Sequence, residues 1–329
     1  MRKVLEEPSD KYKVDAKTIE EFDSRYAKGY MTSPRVVERK RIAEVIKCIE
    51  LPRVGVALDF GCGKGDFAIL LKELLPEWQI IGIDISEVAL AKARELYPEL
   101  QFYSFEEFLN KSDFKFNFIF SHHVLEYVPD LEYAFSQLDR LSSDACIMLH
   151  VIPSGNSGSL EHSIALNVIN GINTTNGTYF FEHYAHQRRY TDIEFVAYAE
   201  KIGYSFVERW FVDHFFGAIE WITRSNINYL RLISPVGDGN SQMASIKLGL
   251  LRMVLYVCYL FRYPYFNYDR VKRKRSWNVL RRIMFWFVWL LYFPSYLFNQ
   301  FILAIVDWEW SRRKHDPRGG KMYLQFVRK

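Results

Sequence analysis

The sequence predicts an α/β protein built on a mainly parallel sheet, and three observations support this prediction. Short apolar segments alternate with helical segments over roughly 100 residues, between positions 54 and 152. A glycine-rich turn at residues 61–65 follows the first apolar segment and precedes a helical one. Asp84 ends the second apolar segment. Apolar residues make up 49% of the 329 residues, which excludes a disordered chain and a polytopic membrane protein.

The elements follow one another in a regular order. Short apolar runs bounded by turn residues predict strands at 54–60, 79–84, 100–103, 116–121, 145–152 and 204–212. Helical periodicity predicts helices at 17–31, 34–50, 66–75, 86–97, 131–141 and 191–202. The last ten residues alternate between apolar and polar, which is typical of a half-buried strand. About thirty residues after Pro153 are rich in Gly, Asn, Ser and Thr, which indicates a functional loop.

The glycine turn and the acid that follows it indicate a cofactor that carries a nucleoside. Residues 58–66 read LDFGCGKGD. Glycine allows a tight turn and a close approach of a ligand to the backbone, and the next helix offers free N–H groups to an anion. Asp84 ends a strand 19 residues after Gly65, where a carboxylate can accept both hydroxyls of a ribose. A dinucleotide fingerprint needs glycine where this chain has Asp66.

The pattern resembles the class I S-adenosylmethionine methyltransferases, and in particular the ubiquinone-biosynthesis-like group of small-molecule O-methyltransferases. Four further segments carry the resemblance: FIFSHHVLEYVPD at 118–130, MLHVIP at 148–153, HQRRYTDIE at 186–194 and KMYLQFVRK at 321–329. The likeness covers residues 40–213 and 320–329. It implies a Rossmann-like sheet of seven strands in the order 3-2-1-4-5-7-6, with the last strand antiparallel and helices on both faces. It also implies S-adenosylmethionine as the cofactor.

The resemblance assigns a set of cofactor-binding residues. The set is Asp59, Gly61, Cys62, Gly63, Asp84, Ile85, Phe105, Glu106, Ser121 and His122. The glycine loop and the tip of the fourth strand would lie beside the methionine end of the cofactor, Asp84 would hold the ribose, and Ile85 would contact the adenine. The family usually places an acid against the adenine amino group, and Phe105 or Glu106 takes that position here.

Histidines are the candidates for catalysis. An alcohol or phenol acceptor benefits from a general base with a pKa near neutral, in addition to alignment with the methyl group. The candidates are His122, His123, His183 and His186. We expect His186 to be the base, because the resemblance places its segment over the acceptor, with His123 as the second candidate. A hydrogen-bonded structural role is the alternative for each of them.

The same segment offers side chains for the acceptor. Arg188, Arg189 and Tyr190 follow His186, and the two arginines could clamp a phosphate or carboxylate of the acceptor. The alternative for these arginines is solvated charge at the start of a helix. Some relatives hold a divalent metal with an E-x-x-E-H pattern after the fourth strand. Here His and Tyr, at positions 123 and 127, replace an acid and a His of that pattern, so we expect no metal.

An aromatic and basic insertion separates the sixth and seventh predicted strands. It contains 19 aromatic residues between positions 246 and 310, and residues 284–306 carry no charge over a length that could span a bilayer. Residues 244–329 contain 17 Lys/Arg and 4 Asp/Glu, a net charge of +13 against +4 for the whole chain. Seven of these basic residues lie between positions 270 and 282. Such a segment favours an anionic membrane surface as partner.

Topology favours a membrane platform that does not cross the bilayer. Both flanking strands belong to one sheet, so the insertion must cross an even number of times, and two crossings would place the basic loop outside the cell. Pro294 is expected to split the uncharged segment into two shorter helices, which would lie in the interface or form a shallow re-entrant hairpin. We therefore expect a cytoplasmic protein, peripheral or monotopic on the inner face of the membrane. A soluble aromatic core is the alternative.

Three domains and three functions follow from these patterns. Residues 1–50 would form a helical cap, 51–213 with 320–329 the cofactor-binding domain, and 214–319 the platform. The first hypothesis is O-methylation of a lipid-linked sugar or a prenylated small molecule at the membrane face. The second is a soluble small-molecule methyltransferase whose insertion is a lid or dimer interface, and the third is a non-catalytic binding protein on this fold. No nucleic-acid partner is expected, and the oligomeric state stays open.

Overall fold

The strands of the computed structural model confirm the predicted sheet. The structure describes residues 16–29, 34–111, 114–168, 170–224, 227–233, 242–273 and 279–328. Within these residues seven strands form one sheet in the order β3-β2-β1-β4-β5-β7-β6. The strands are β1 Val56–Phe60, β2 Gln79–Asp84, β3 Gln101–Ser104, β4 Phe116–His122, β5 Ser142–Pro153, β6 Tyr204–Val212 and β7 Lys321–Arg328.

The pairing of the strands positions the functional site. Strands β1 to β5 pair in parallel, whereas β7 is antiparallel to both β5 and β6. Strand β1 lies between β2 and β4, so the chain reverses its direction of winding beside β1. In open sheets of this kind ligands bind beyond the carboxyl ends of the strands at such a switch point. Asp84 and the glycine turn both lie there.

Helices cover both faces of the sheet. Ahead of the insertion they are α1 Ala16–Ala27, α2 Val36–Cys48, α3 Asp66–Leu74, α4 Glu87–Leu96, α5 Phe105–Lys111, α6 Leu131–Leu141, α7 Leu160–Leu166 and α8 Asp192–Lys201. Successive residues of a strand point to opposite faces. Phe118 and Phe120 therefore pack into one buried layer with α3, while Ile119 packs into the other with α6.

The insertion between β6 and β7 is helical, as predicted. Its helices are α9 Phe216–Arg224, α10 Ile227–Leu232, α11 Gln242–Arg273 and α12 Val279–Arg313. Helices α11 and α12 pack against each other over much of their length, with Phe261 against Phe298 and Tyr268 against Tyr292. Residues 274–278, which include the basic Lys274 and Arg275, lie outside the described residues.

The expected break at Pro294 is wrong. Helix α12 continues through Pro294, and α11 contains a proline of its own, Pro264. A proline inside a helix removes one backbone hydrogen bond and costs about 3 kcal/mol. The two prolines lie close together: the residues that follow them are hydrogen-bonded, with the backbone N–H of Tyr265 donating to the Ser295 hydroxyl at 3.0 Å. Contacts between the two helices therefore offset the local cost, which propensity alone does not include.

A histidine in the middle of β5 makes stability depend on pH. His150 is fully buried, with Nδ1 2.8 Å from Ser121 Oγ, and burial lowers its pKa to about 3. The unfolded chain binds a proton at an ordinary imidazole below about pH 6.5, but the folded protein does not until about pH 3. Stability should therefore fall as the pH falls through this window, by at most about 1.4 kcal/mol per pH unit for this one group.

We expect His150→Phe to flatten the dependence of the unfolding free energy on pH between about 6.5 and 4. Denaturant melts at a series of pH values measure this slope. The control is His315→Gln, since His315 is exposed at the end of the insertion. An unchanged slope in His150→Phe would show that His150 titrates with an ordinary pKa in the folded protein.

Candidate active site

A cavity of about 1180 Å³ opens at the carboxyl ends of the central strands. Its walls combine five parts of the chain: helix α1, the glycine turn after β1, the tip of β4, the long loop after β5, and helix α9 of the insertion. The volume exceeds that of a typical site for one small ligand. The cavity can therefore hold a cofactor and an acceptor side by side.

The glycine turn is held in a conformation that needs glycine. Gly61 and Gly63 have φ values of 76° and 54°. The N–H groups of Gly61 and Cys62 both donate to the Ile83 carbonyl, at 2.8 and 2.9 Å, which fixes the turn against β2. A Cβ atom on Gly61 would lie 2.2 Å from Val124, and one on Gly63 would lie 2.5 Å from the Tyr26 hydroxyl. The turn thus presents bare backbone to the cavity.

Asp84 ends β2 beside this turn, as predicted. Its Oδ2 accepts a hydrogen bond from Gly63 N at 2.8 Å, and its Oδ1 accepts one from Ser86 N at 2.9 Å. Burial raises the pKa of Asp84. Each oxygen keeps a further lone pair, and both Asp84 and Ile85 line the cavity. The carboxylate can therefore accept the two hydroxyls of a ribose.

Asp59 lies behind the turn and not on the cavity wall. It is 1% exposed, and Oδ2 has no hydrogen-bond partner among the described residues. Burial, helped by nearby Asp84, raises its pKa to about 8, while the backbone N–H of Ala68 opposes this rise by donating to it. Asp59 thus binds the first turn of α3 through the backbone of Ala68. The predicted contact of Asp59 with the methionine end is not seen on the described wall.

Cys62 lines the cavity as predicted, as a neutral thiol. Burial raises its pKa well above the ordinary value, and Asp84 and Asp59 add to the effect. Phe105 also lines the cavity, with its ring edge-on to Phe60 at 6.1 Å between centroids. Glu106, the other candidate for the adenine position, is exposed and outside the wall. Of the two candidates, only Phe105 is therefore placed to contact the adenine.

Helix α1 covers the cofactor side of the cavity, which the sequence did not predict in detail. Asp23 Oδ1 accepts from the Ser86 hydroxyl at 2.6 Å and from Val88 N at 3.3 Å, so α1 is tied to the start of α4. Phe22 lies edge-on to Tyr127 across the cavity wall, 5.3 Å between centroids. No sequence signal marks these contacts, because they depend on where an amphipathic helix docks.

The tip of β4 carries two histidines with different surroundings. His122 is buried on the wall, with Nε2 3.1 Å from Glu38 Oε1. Burial lowers the pKa of His122 to about 4, although Glu38 opposes this. Ser121 is turned away from the cavity and bonds His150 instead. His122 is therefore a neutral wall residue at pH 7.

His123 is oriented by a buried carboxylate. It has φ 55°, an uncommon value for a residue other than glycine, and it lines the cavity. Its Nδ1 lies 2.7 Å from Glu126 Oε1, and Glu126 is 1% exposed. A carboxylate in this position keeps a proton on Nδ1 and leaves Nε2 free to accept another. This is the arrangement of a general base, and the interval of three residues was its only sequence signal.

The potential ligand atoms of Glu38, His122 and His123 lie within 4.8 Å of one another. Such a cluster could hold a metal ion. The Lys321 ammonium contacts the same Glu38 oxygen, however, and Arg35 Nη2 lies 3.9 Å from it. Although burial opposes them, Lys321 and His122 hold the pKa of Glu38 well below its usual value. The described cluster is thus already an ion-pair network, and the expected absence of a metal stays a prediction.

His186, the first candidate for the base, also lines the cavity. Its ring lies edge-on to Tyr127 at 4.4 Å, and its Nδ1 is 3.4 Å from Glu182 Oε1. Nδ1 is buried and makes no hydrogen bond within the described residues. The carboxylate of Glu182 also accepts a hydrogen bond from Arg189 Nε at 2.9 Å. The structure therefore places both predicted bases on the wall, but it orients His123 better than His186.

The predicted anion clamp of Arg188 and Arg189 is not formed, and Tyr190 does not line the cavity. Arg188 is exposed, pairs with Glu194 at 2.5 Å and lies outside the wall. Tyr190 is buried in the core below. Arg189 does reach the wall, but its guanidinium is held by Glu161 at 3.2 Å and by Glu182. The sequence alone could not show that Glu161 and Glu182 already neutralise Arg189.

The described residues fit S-adenosylmethionine. Gly61 and Gly63 line the cavity without side chains, the Asp84 carboxylate has spare acceptor positions, and Ile85 and Phe105 supply apolar walls for a purine. The cofactor, when bound, would supply an activated methyl group. His123 and His186 lie on the wall of the same cavity.

Comparison with known proteins agrees with this geometry. A family model described as a methyltransferase domain matches residues 36–209, more than half of the chain. The chain is 30% identical to the trans-aconitate 2-methyltransferase of Escherichia coli O157:H7 over 117 residues, which are 35% of this chain and 46% of that protein. It is 34% identical to the trans-aconitate 2-methyltransferase of Variovorax paradoxus (strain S110) over 103 residues, 31% of this chain and 40% of that one. The chain therefore spans less than half the length of these curated relatives.

The likeness to solved structures is low. A TehB-like SAM-dependent methyltransferase from Corynebacterium glutamicum is 16% identical, with a TM-score of 0.39 over 59% of this chain and 88% of that one. The family assignment itself depends on the family model, which covers both β1 with its glycine turn and the strands through β5. The chain belongs to the methyltransferase domain family, in the class I group with a Rossmann-like fold whose cofactor is S-adenosylmethionine.

Proposed function

We propose that this protein transfers the methyl group of S-adenosylmethionine to a hydroxyl group of a lipid-linked acceptor at the cytoplasmic face of a membrane. The observation that carries the proposal is the continuity of the cavity. The residues that line it include the glycine turn and Asp84, His123, and Trp221 and Arg224 of the insertion. Cofactor, base and acceptor can therefore meet in one enclosed space.

His123 and Glu126 supply the proton chemistry in this proposal. Nε2 of His123 accepts the proton of the acceptor hydroxyl. The bound cofactor would supply the methyl group, its S–CH3 bond breaking as the C–O bond forms and leaving a neutral thioether. The imidazole becomes positively charged, and the Glu126 carboxylate beside Nδ1 stabilises that charge. His123 then releases the proton to solvent. The apolar ring of Phe105 and the cover formed by α1 exclude water from the cofactor side.

An exposed apolar surface on the insertion supports a membrane partner. We call the solvent-facing apolar side chains of α11 and α12 the apolar ridge: Leu250, Met253, Val257, Leu260, Phe261, Trp286, Phe287, Trp289, Leu290, Phe293, Leu297 and Phe301. Trp286 is 62% exposed and Leu290 is 68% exposed. Soluble monomers rarely expose a contiguous apolar patch of this kind. Trp and Tyr side chains are typical of the interface between membrane and water.

The length of α12 is consistent with this proposal but does not require a crossing. Among the described residues, one helix is long and apolar enough to span a membrane, Trp286–Arg313, and most of it is exposed. Its last part packs on the methyltransferase domain, where Ile302 and Val306 contact Val37 of α2. Lys40 also binds Asp307 at 2.6 Å. We infer that the helix lies along the membrane surface, with its docked end holding the domain against it.

A soluble methyltransferase that forms a dimer is the second candidate function. The apolar ridge would equally suit a second copy of the chain, because obligate dimer interfaces are apolar. The curated relatives are named for trans-aconitate, a small organic acid, and such an acceptor needs no membrane. Binding to lipid, measured below, separates this candidate from the first.

The cofactor site can be tested by equilibrium binding. We expect Asp84→Ala to weaken binding of S-adenosylmethionine by about 1–3 kcal/mol, because the ribose hydroxyls lose their acceptor. Gly63→Val should abolish binding, since a side chain there meets the Tyr26 hydroxyl and strains a residue at positive φ. Calorimetry measures both, with the exposed Asp144→Ala as control. Affinity within twofold of wild type in Asp84→Ala would remove Asp84 from the site.

The base can be tested by the dependence of rate on pH. We expect His123→Asn to lower methyl transfer by about 10²- to 10⁴-fold while cofactor affinity is kept. Asparagine suits this position, because it tolerates positive φ. Glu126→Gln should give a smaller loss and move the acidic limb of the profile to lower pH, since an amide stabilises an imidazolium less than a carboxylate does.

The assay follows radioactive methyl groups into a total lipid extract of the host membrane. His186→Asn is the comparison variant, because His186 lies on the same wall without a short bond to a carboxylate. A loss confined to His186→Asn, with His123→Asn active at the wild-type pH optimum, would return the role of base to His186.

The membrane contact can be tested by flotation with liposomes. We expect Trp286→Ser with Trp289→Ser to weaken binding to neutral and anionic liposomes at least tenfold, because each buried Trp contributes about 2–3 kcal/mol. Ile193→Ser is the matched control, an equally exposed apolar residue on α8. Replacing Lys272, Arg273, Lys274 and Arg275 with Ser should weaken only the salt-sensitive binding to anionic liposomes. Wild-type protein that never floats, and is a dimer by light scattering, would establish the second candidate.

A further inference from the structure

We propose that Arg224 forms an anion-binding subsite at the outer end of the cavity, for a phosphate or carboxylate of the acceptor. This inference deepens the proposed function and rests on it. Arg224 is the last residue of α9, is half-buried and lines the cavity. The position lies within the insertion, beyond the segment where the sequence predicted an anion clamp.

The charges of the cavity wall distinguish Arg224 from its neighbours. Arg35 contacts Asp213 and Glu220, each at 3.0 Å. Arg189 is held by two carboxylates, and Lys321 contacts Glu38. These cations are already neutralised. Within the described residues, no carboxylate forms an ion pair with Arg224, and the contact of its guanidinium is with the ring of Phe266, 5.4 Å from the centroid.

The contact with Phe266 positions the guanidinium without neutralising it. A cation over an aromatic face keeps its N–H donors free in the plane of the group. An arginine at the end of a helix is also favoured by the helix dipole, and this explains the residue type. It does not explain why the side chain lines the cavity. A free planar donor set facing a cavity matches the geometry of a phosphate or carboxylate.

The neighbours of Arg224 indicate how the acceptor lies. Trp221, one helical turn earlier on the same face of α9, also lines the cavity, and its ring is 5.5 Å from that of Phe181. Trp221 Nε1 donates to Glu161 at 2.6 Å, which fixes the indole. These two rings form an apolar wall next to Arg224. An acceptor would thus carry its anionic group at Arg224, with its methyl-accepting hydroxyl at the inner end near His123.

Hydrogen bonds from the neighbouring helices hold α9 at both ends, and a binding subsite requires such a fixed position. The Glu309 carboxylate of α12 accepts from the N–H groups of Phe215, Phe216 and Gly217, at 2.9 to 3.0 Å. Arg262 of α11 donates to the Glu220 carbonyl and to the Thr223 hydroxyl near the other end of the helix, both at 2.6 Å. Both helices of the apolar ridge therefore hold α9, so the anion subsite and the membrane surface belong to one assembled unit.

Direct binding of anionic probes to the full-length protein tests the subsite. The probes are inorganic pyrophosphate, citrate and farnesyl diphosphate, titrated by calorimetry with saturating S-adenosylhomocysteine present. We expect Arg224→Gln to weaken binding of the best probe at least tenfold, and Arg224→Lys to give an intermediate affinity, because an ammonium keeps the charge but loses the planar donors. Arg53→Gln is the control for net charge, since Arg53 is exposed ahead of β1 and away from this cavity.

The three probes also separate the sources of the anion. Much tighter binding of farnesyl diphosphate than of pyrophosphate would indicate a lipid-linked phosphate, and preference for citrate would indicate a soluble carboxylate. Unchanged affinity for every probe in Arg224→Gln, or no binding of any probe to wild type at millimolar concentration, would overturn the subsite. Binding of S-adenosylhomocysteine is recorded in the same samples. If the wild-type protein does not bind S-adenosylhomocysteine, the proposed function is wrong. If it binds S-adenosylhomocysteine but Arg224→Gln leaves the anion affinity unchanged, only the subsite is wrong.

Discussion

The docking of the insertion onto the methyltransferase domain depends on the buried ion-pair network around Glu220. Glu220 of α9 receives Arg35 at 3.0 Å and Arg262 at 2.8 Å, so one carboxylate links the start of α2 to α11. Arg262 also donates to Asn299 of α12. Removing one member of a buried pair typically costs about 3–5 kcal/mol, because the partner charge stays buried. Without this network, the docked position in which the insertion completes the cavity would be much less stable.

The same principle organises the inner part of the cavity. Its charged side chains are buried in sets that neutralise one another, such as Glu38 with Lys321 and Arg189 with Glu161. Such sets position side chains with little freedom, which benefits a reaction that depends on alignment. The imidazole of His123 is oriented by Glu126, and the guanidinium of Arg224 forms no ion pair within the described residues, so both are candidates for chemistry and for binding. The proposed acceptor would extend between these two points.

In the proposed function, the insertion connects the site to the cytoplasmic face of the membrane. Its helices supply both a wall of the cavity, through Trp221 and Arg224, and the exposed apolar ridge. A lipid-linked acceptor could therefore reach the cavity without leaving the membrane interface. The family match covers residues 36–209 and stops before the insertion, so the family assignment applies to the cofactor-binding part of the chain and not to the insertion.

The sequence alone determined the sheet and the cofactor site of this protein. The parallel sheet, Asp84 and the glycine turn were predictable from local patterns that a single chain displays, and the resemblance to class I methyltransferases implied the strand order. The path of α12 through Pro294 was not predictable, because contacts with α11 offset a cost that is local. Likewise, only the tertiary structure decided that Arg189 is neutralised, that Arg224 has no ion-pair partner in the described part of the chain, and that Asp59 is buried. The free energy of a charge depends on which groups surround it, and those groups come from distant parts of the chain.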